Sequence, residues 1–471
     1  MKKLLGAALS AALILPAGTA GAELLKNLKV GGQLDIQANS AINTRDFVTN
    51  GTGNNDRLGS AVTRVLLNAN WDLLDDVHAR VTLRKNDRAW GDTSGGGSGQ
   101  GSDSGQSQAV GSGGIQGNTY VNESFIKVDK LLGQGDVTVG RQFFGNAGDP
   151  IVYFGPKDNY GLAVQALDAF RLDCGHDWGN VTGVVGKIAG DTISGALPDS
   201  GTDIRGLDVG IKNLPVKANV VLYNQVTHRN GTLGTPEGFG DYLWVYGFKL
   251  KGEALGGWLG AEFYQNSGEN RTGGSPTASA NYSGRAFAFD AGYKADIADV
   301  AGLTPWFNFG FGTGRSDSTS NKNDGFTAIN PDWRPGIING RFSSTIANHI
   351  LGGGGYGGYV PTVGLNNRVV YGVGLKVNPA KLSKLTAGVQ YWNYNLQRRT
   401  VGDAVLDPNT GAAKGNRHIG AEFGVTADWQ HSENVGVGLG WATFQPGGFI
   451  KSQQTAHSPA RLLFADLKVK F

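Results

Sequence analysis

The chain ends in LLFADLKVKF, Leu462 to Phe471. In an extended strand Leu463, Ala465, Leu467, Val469 and Phe471 project to one side. Leu462, Phe464, Asp466, Lys468 and Lys470 project to the other. Alternation with period two marks a strand whose two faces meet different surroundings. A soluble sheet hides its apolar face in a core. A barrel in lipid turns that face outward and keeps the polar one for its lumen.

The pattern recurs upstream. Ile419, Ala421, Phe423, Val425, Ala427 and Trp429 alternate with His418, Glu422, Thr426, Asp428 and Gln430. Val369, Tyr371, Val373, Leu375 and Val377 alternate with Arg368, Gly372, Gly374, Lys376 and Asn378, and Val77, Ala79, Val81 and Leu83 with His78, Arg80, Thr82 and Arg84. Segments of about ten residues are what a tilted strand needs to cross a membrane.

The connections decide between the two architectures. Short ones fall at Leu74–Asp76, Leu132–Gly135, Gly175–Gly179, Asn213–Pro215, Glu253–Gly256, Asp296–Ala301, Pro379–Ser383 and His431–Glu433. Between them lie long ones, including 89–118 and 314–366. Short turns at one end and long loops at the other are the layout of a transmembrane barrel. Counting segments gives about 18 strands, with 16 as the alternative, and both chain ends on the periplasmic side. A propeller would repeat with a period of about 40 residues, and no such repeat is present.

Composition agrees. Gly is abundant, 76 residues against 15 Pro, and each costs about 1 kcal/mol in a helix relative to Ala. On an inner barrel face, glycines at 372, 374, 388, 420, 424, 436, 438 and 440 imply an open, water-filled channel rather than the filled interior of a structural or adhesive barrel. Cys174 is the only cysteine, so no internal disulfide staples the chain. Aromatics near the ends of apolar faces, among them Trp71, Tyr242, Trp244, Tyr246, Tyr371, Tyr391, Trp429 and Trp441, suit an interfacial girdle.

The N-terminus reads as an export signal. Lys2 and Lys3 precede an apolar run from Leu4 to Leu15, and Ala20-Gly21-Ala22 forms a small-residue cleavage site. Cleavage between Ala22 and Glu23 divides the chain into a signal peptide, 1–22, and one barrel domain, 23–471. The formal charge of +3 falls to +1 without Lys2 and Lys3, which gives no reason to expect nucleic acid. The first strand starts too soon after the cleavage site for a plug domain. Thr93 to Gly117, almost all Gly, Ser, Gln and Asp, reads as a flexible solvated loop. The connection 314–366 carries Trp333, Arg334 and Arg341 and is long enough to fold over or into the mouth.

The stretch Arg417 to Phe449, RHIGAEFGVTADWQHSENVGVGLGWATFQPGGF, resembles the closing hairpin of the alginate-export family of outer-membrane porins. The resemblance rests on Gly420, Glu422, Asp428, Trp429, Phe444, Pro446 and Gly447. VTVGRQFF at Val137–Phe144 and ALDAFRL at Ala166–Leu172 resemble further strands of that family. The resemblance implies a monomeric barrel of about 18 strands. Its best-known member exports an anionic polysaccharide through a basic constriction, which would make Arg141 and Arg171 lining residues. Here acidic residues are interleaved with basic ones. The reading is therefore a porin for passive diffusion of small hydrophilic solutes, with export of an alginate-like polysaccharide as the alternative.

Taking the apolar parity as lipid-facing assigns the lumen, because Arg or Lys at the bilayer midplane costs about 2–4 kcal/mol. Lys29, Arg64, Arg80, Arg84, Arg171, Lys249, Lys376, Lys468 and Lys470 fall inside, with Arg368 near the mouth. So do Asp35, Asp173, Glu262, Asp290, Glu422, Asp428 and Asp466. Arg141 joins them by motif only; the parity of Val137 and Val139 aims it at lipid unless a bulge intervenes. The slight excess of basic residues predicts weak anion preference. No nucleophile–base pair, metal-ligand spacing or cofactor motif points to catalysis, so neither an enzyme nor a cofactor is expected. The expected partners are outer-membrane lipid and lipopolysaccharide, small solutes or a polysaccharide, and the barrel assembly machinery, for which Phe471 resembles the terminal recognition signal.

Overall fold

A computed structural model describes residues 27–44, 58–86, 119–189, 201–228, 241–270, 280–315, 321–343, 363–398, 416–451 and 458–471. The proposed cleavage site at Ala22 and Glu23 and the loop 89–118 lie outside the described residues.

Eighteen strands close into an antiparallel barrel. In chain order they are β1 (Leu28–Ile42), β2 (Leu58–Leu74), β3 (Val77–Asn86), β4 (Thr119–Leu131), β5 (Gly135–Gln142), β6 (Leu167–Gly175), β7 (Gly179–Ala189), β8 (Thr202–Ile211) and β9 (Lys217–Thr227). Then follow β10 (Asp241–Ala254), β11 (Gly257–Asn270), β12 (Arg285–Tyr293), β13 (Ala301–Gly312), β14 (Arg368–Pro379), β15 (Leu385–Leu396), β16 (His418–Ser432), β17 (Val435–Pro446) and β18 (Ala460–Lys470). Each pairs with its sequence neighbours. The seam is β1 against β18, from Gln33↔Lys470 to Ile42↔Arg461. Closure leaves no unpaired edge, which lipid would not tolerate. The short turns fall where the alternation places them.

The outer face is apolar. Phe170, Val185, Leu207, Val220, Phe248, Val373, Leu439 and Leu463 stand exposed on it. Burying such a side chain is worth about 1.5–3 kcal/mol, so a belt of them belongs in lipid. Tyr242, Trp244, Tyr246, Tyr371, Tyr391, Trp429 and Trp441 also present exposed rings.

The inside is not an open tube. Segments 143–166 and 321–343 leave their strands and turn into the barrel. They build two buried clusters within it. One gathers Ile337, Ile338 and Phe342 against Tyr394, Phe444 and Phe464. The other gathers Ile151, Phe154, Phe326 and Leu365 against Tyr223, Val245 and Tyr264. Gly372, Gly374 and Gly440 serve ring packing, whereas Gly436 and Gly438 line open lumen. A Cβ at Gly372 would lie 2.4 Å from the Trp392 ring, at Gly374 2.4 Å from Trp306, and at Gly440 2.4 Å from Phe464. A large ring on one strand occupies the space that the next strand vacates.

Candidate functional site: a loop constriction above a charged lumen

The two inward segments are held to the wall by charges and to each other by backbone. Arg64 on β2 is almost fully buried. Its Nε and Nη2 donate to Asp35 on β1 at 2.9 and 2.6 Å, and Nη1 donates to the carbonyls of Lys157 and Leu162 at 2.9 and 3.1 Å. Arg84 donates to the Val164 carbonyl at 2.8 Å. Lys249 is paired with Asp149, whose other oxygen accepts the Ile151 and Val152 amides. These cations satisfy carbonyls of an irregular segment that has no ladder of its own.

Segment 321–343 is fastened by an anion. Glu422 on β16 accepts the amides of Ile337 and Asn339 at 2.5 and 2.9 Å, at the start of a π-helical turn, Ile337–Arg341. Gly336, at φ +89°, makes the bend before it. A Cβ there would strike the Tyr394 hydroxyl at 2.0 Å. Arg368, wholly buried, donates to the Gly364 carbonyl at 3.2 Å and lies 5.8 Å from the centre of a Trp333 ring. The segments meet through Tyr153 N to Asn330 O and Asp332 N to Asp149 O, both 2.8 Å.

On the short-turn side of this constriction the lumen holds a cavity of about 850 Å³. Its walls carry Arg334, Arg341, Lys376, Lys384 and Lys468 against Asp158, Asp332, Asp428 and Asp466. Arg341 bridges Asp158 and Asp466, each at 2.7 Å, and Lys468 reaches Asp158 at 3.3 Å. Beside it a recess of about 360 Å³ is lined by Trp258, Glu262, Asp290, Trp306, Asn308, Trp333 and Trp392 among others.

The residues assigned from parity thus divide. Lys376, Asp428 and Lys468 line the wider cavity and Asp290 the recess. Arg64, Arg84, Lys249, Arg368 and Glu422 point inward but hold the constriction instead of facing free solvent. Arg80 pairs with Glu123 and Arg171 with Asp173, at 2.8 and 2.7 Å. Lys470 is exposed near the short-turn rim.

Arg141 is a correction. β5 pairs with β4 and β6 without a register shift at this residue, so no bulge turns it inward. It shares the outer face with Val139 and bonds Asp168 on the neighbouring strand at 2.8 Å. Phe471 lies at the seam. Its amide donates to the Gly32 carbonyl at 3.0 Å, its carbonyl accepts the Gly32 amide at 2.7 Å, and its ring covers that glycine.

Two features escaped the sequence reading. The indoles of Trp258, Trp306 and Trp392 carry the parity opposite to Leu259, Phe307 and Tyr391, and stand across from glycines; that juxtaposition was the available signal. The other is the inward course of segment 143–166, for which IVYF at Ile151–Phe154, core-like for a solvated connection, was the available signal.

Residues 242–464 match the Alginate export family. No curated protein sequence matches the chain. Similar solved structures include OccK9 (OpdG) of Pseudomonas aeruginosa, 13% identical with a TM-score of 0.53 over 94% of this chain and 99% of that one. OccAB1 of Acinetobacter baumannii is 9% identical with a TM-score of 0.54 over 94% and 97%. The opdK protein of Pseudomonas aeruginosa is 9% identical with a TM-score of 0.51 over 94% and 99%. At such identities the likeness is one of fold.

Proposed function

On the premise that this chain is an alginate-export-family-like β-barrel of the bacterial outer membrane, we propose that it is a porin for passive diffusion of small hydrophilic solutes, weakly anion-preferring and monomeric. Signal cleavage before Glu23 and assembly guided by Phe471 belong to the same proposal. The observation that carries it is the charged cavity beneath the constriction, with five cations against four carboxylates. Water and small ions fit there, and the charges lie close enough to screen one another within a Debye length of about 8–10 Å. The formal charges of these lining residues, five positive and four negative, leave an excess of one positive charge.

Export of an anionic polysaccharide calls for a run of cations free to trade partners along a chain. Arg64 and Arg341 are instead clamped by Asp35, Asp158 and Asp466. The diffusion reading is therefore preferred.

Reversal potentials of the refolded protein in planar bilayers under a salt gradient test the proposal. A modest anion preference, strongest at low salt, is expected. Cation preference, or folded protein without conductance, refutes it.

A further inference from the structure

We propose that the aromatic recess on the short-turn side of the constriction is a carbohydrate subsite that takes one pyranose ring of a neutral sugar. The inference deepens the porin reading above by naming a class of solute that the channel retains on passage.

The first observation is the platform. On four consecutive strands, β11 to β14, directly paired inner positions read Trp258, Gly292, Trp306, Gly374. A Cβ at Gly292 would lie 2.1 Å from the Trp258 ring, and one at Gly374 2.4 Å from Trp306. Each indole is therefore laid against a bare stretch of its neighbour's backbone. Trp258 and Trp306 are half-buried and line the recess. Trp392, itself buried, stands 5.4 Å from Trp306 at an interplanar angle of 44° and closes one side of the recess. The recess is about 360 Å³, within the range of small-molecule sites, roughly 300–1,000 Å³.

The second observation is the polar edge. Two residues along the strands, the next inner row pairs Asp290 with Asn308. Among the described residues no cation stands within ion-pair distance of Asp290. The Oδ1 of Asn308 is buried without a hydrogen-bond donor, and an orphaned buried acceptor is costly unless a ligand or water satisfies it. Glu262 is already engaged by the Tyr264 hydroxyl.

The recess thus offers indole faces for the C–H side of a ring and acceptors for its hydroxyl groups, with no cation of its own. Acceptors and carboxylates repel a uronate or a phosphate. A quaternary ammonium would also stack on indole, but it brings no N–H or O–H donor for the Asn308 oxygen.

The test is intrinsic fluorescence of the folded full-length protein in detergent, titrated with maltotriose, trigalacturonate and tetramethylammonium. Maltotriose should give a saturable change. Trp306→Ala should weaken binding roughly threefold to tenfold, the scale of one aromatic contact, Trp306→Phe less, and Asp290→Asn should also weaken it. Trp244→Ala, on the outer face, should leave affinity unchanged. Heat-modifiable mobility confirms that each variant is folded. No saturable response to maltotriose, tighter binding of trigalacturonate or tetramethylammonium, or wild-type affinity in folded Trp306→Ala would overturn the subsite. Conductance without sugar binding defeats this inference alone; sugar binding without conductance defeats the porin reading and leaves the subsite standing.

Discussion

Replacing Arg64 with Ala should open the channel while leaving the barrel intact. The guanidinium holds a buried carboxylate, Asp35, and three carbonyls of segment 143–166, those of Lys157, Leu162 and Ala163. Removing one partner of a buried pair costs about 3–5 kcal/mol, and each lost charge-assisted hydrogen bond about 1.5–3 kcal/mol. The β1–β2 ladder, paired from Leu28↔Trp71 to Ala41↔Leu58, does not depend on that side chain. The loss therefore falls on the seated loop. About 3 kcal/mol raises the ratio of released to seated segment by roughly a hundredfold. Single-channel recording should show higher conductance and frequent large fluctuations. Adding Asp35→Asn removes the stranded charge, so resistance to heat should recover while conductance stays high. Folded Arg64→Ala protein with wild-type conductance and noise would refute the claim that Arg64 seats the constriction.

Glu422→Gln leaves one of the Ile337 and Asn339 amides facing an amide donor, a loss of about 1–3 kcal/mol; chymotrypsin should cut near Phe342 faster in proteoliposomes, and an unchanged rate would count against the anchor. Deleting Phe471 removes two backbone hydrogen bonds across the seam with Gly32 and should lower the heat-modifiable fraction in cells. Arg141→Ala should leave the reversal potential unchanged, since the side chain lies on the outer face, whereas Lys468→Gln equalises the charges around the lower cavity and should move the potential toward zero.

The architecture was legible because it is written locally. Side chains alternate across a strand, lipid penalises charge on one face, and short turns hold adjacent strands in register, so LLFADLKVKF and its counterparts carry strand, face and order without reference to anything distant. The same rule placed Lys376, Asp428 and Lys468 in the lumen, and it aimed Arg141 outward where a motif match pointed inward. What it did not carry was what fills the lumen. Arg64 meets Leu162 and Glu422 meets Ile337 across separations of 98 and 85 residues, and no period in the chain encodes such meetings. The inner glycines show the limit most directly. Read alone, Gly372 and Gly374 mean space; beside Trp392 and Trp306 they mean a seat for an indole. The difference lies in which side chain stands across the sheet. Alternation fixes the face on which a residue projects, but only closure of the barrel and the inward fold of two long connections decide whether that face meets water, a ring or a buried backbone.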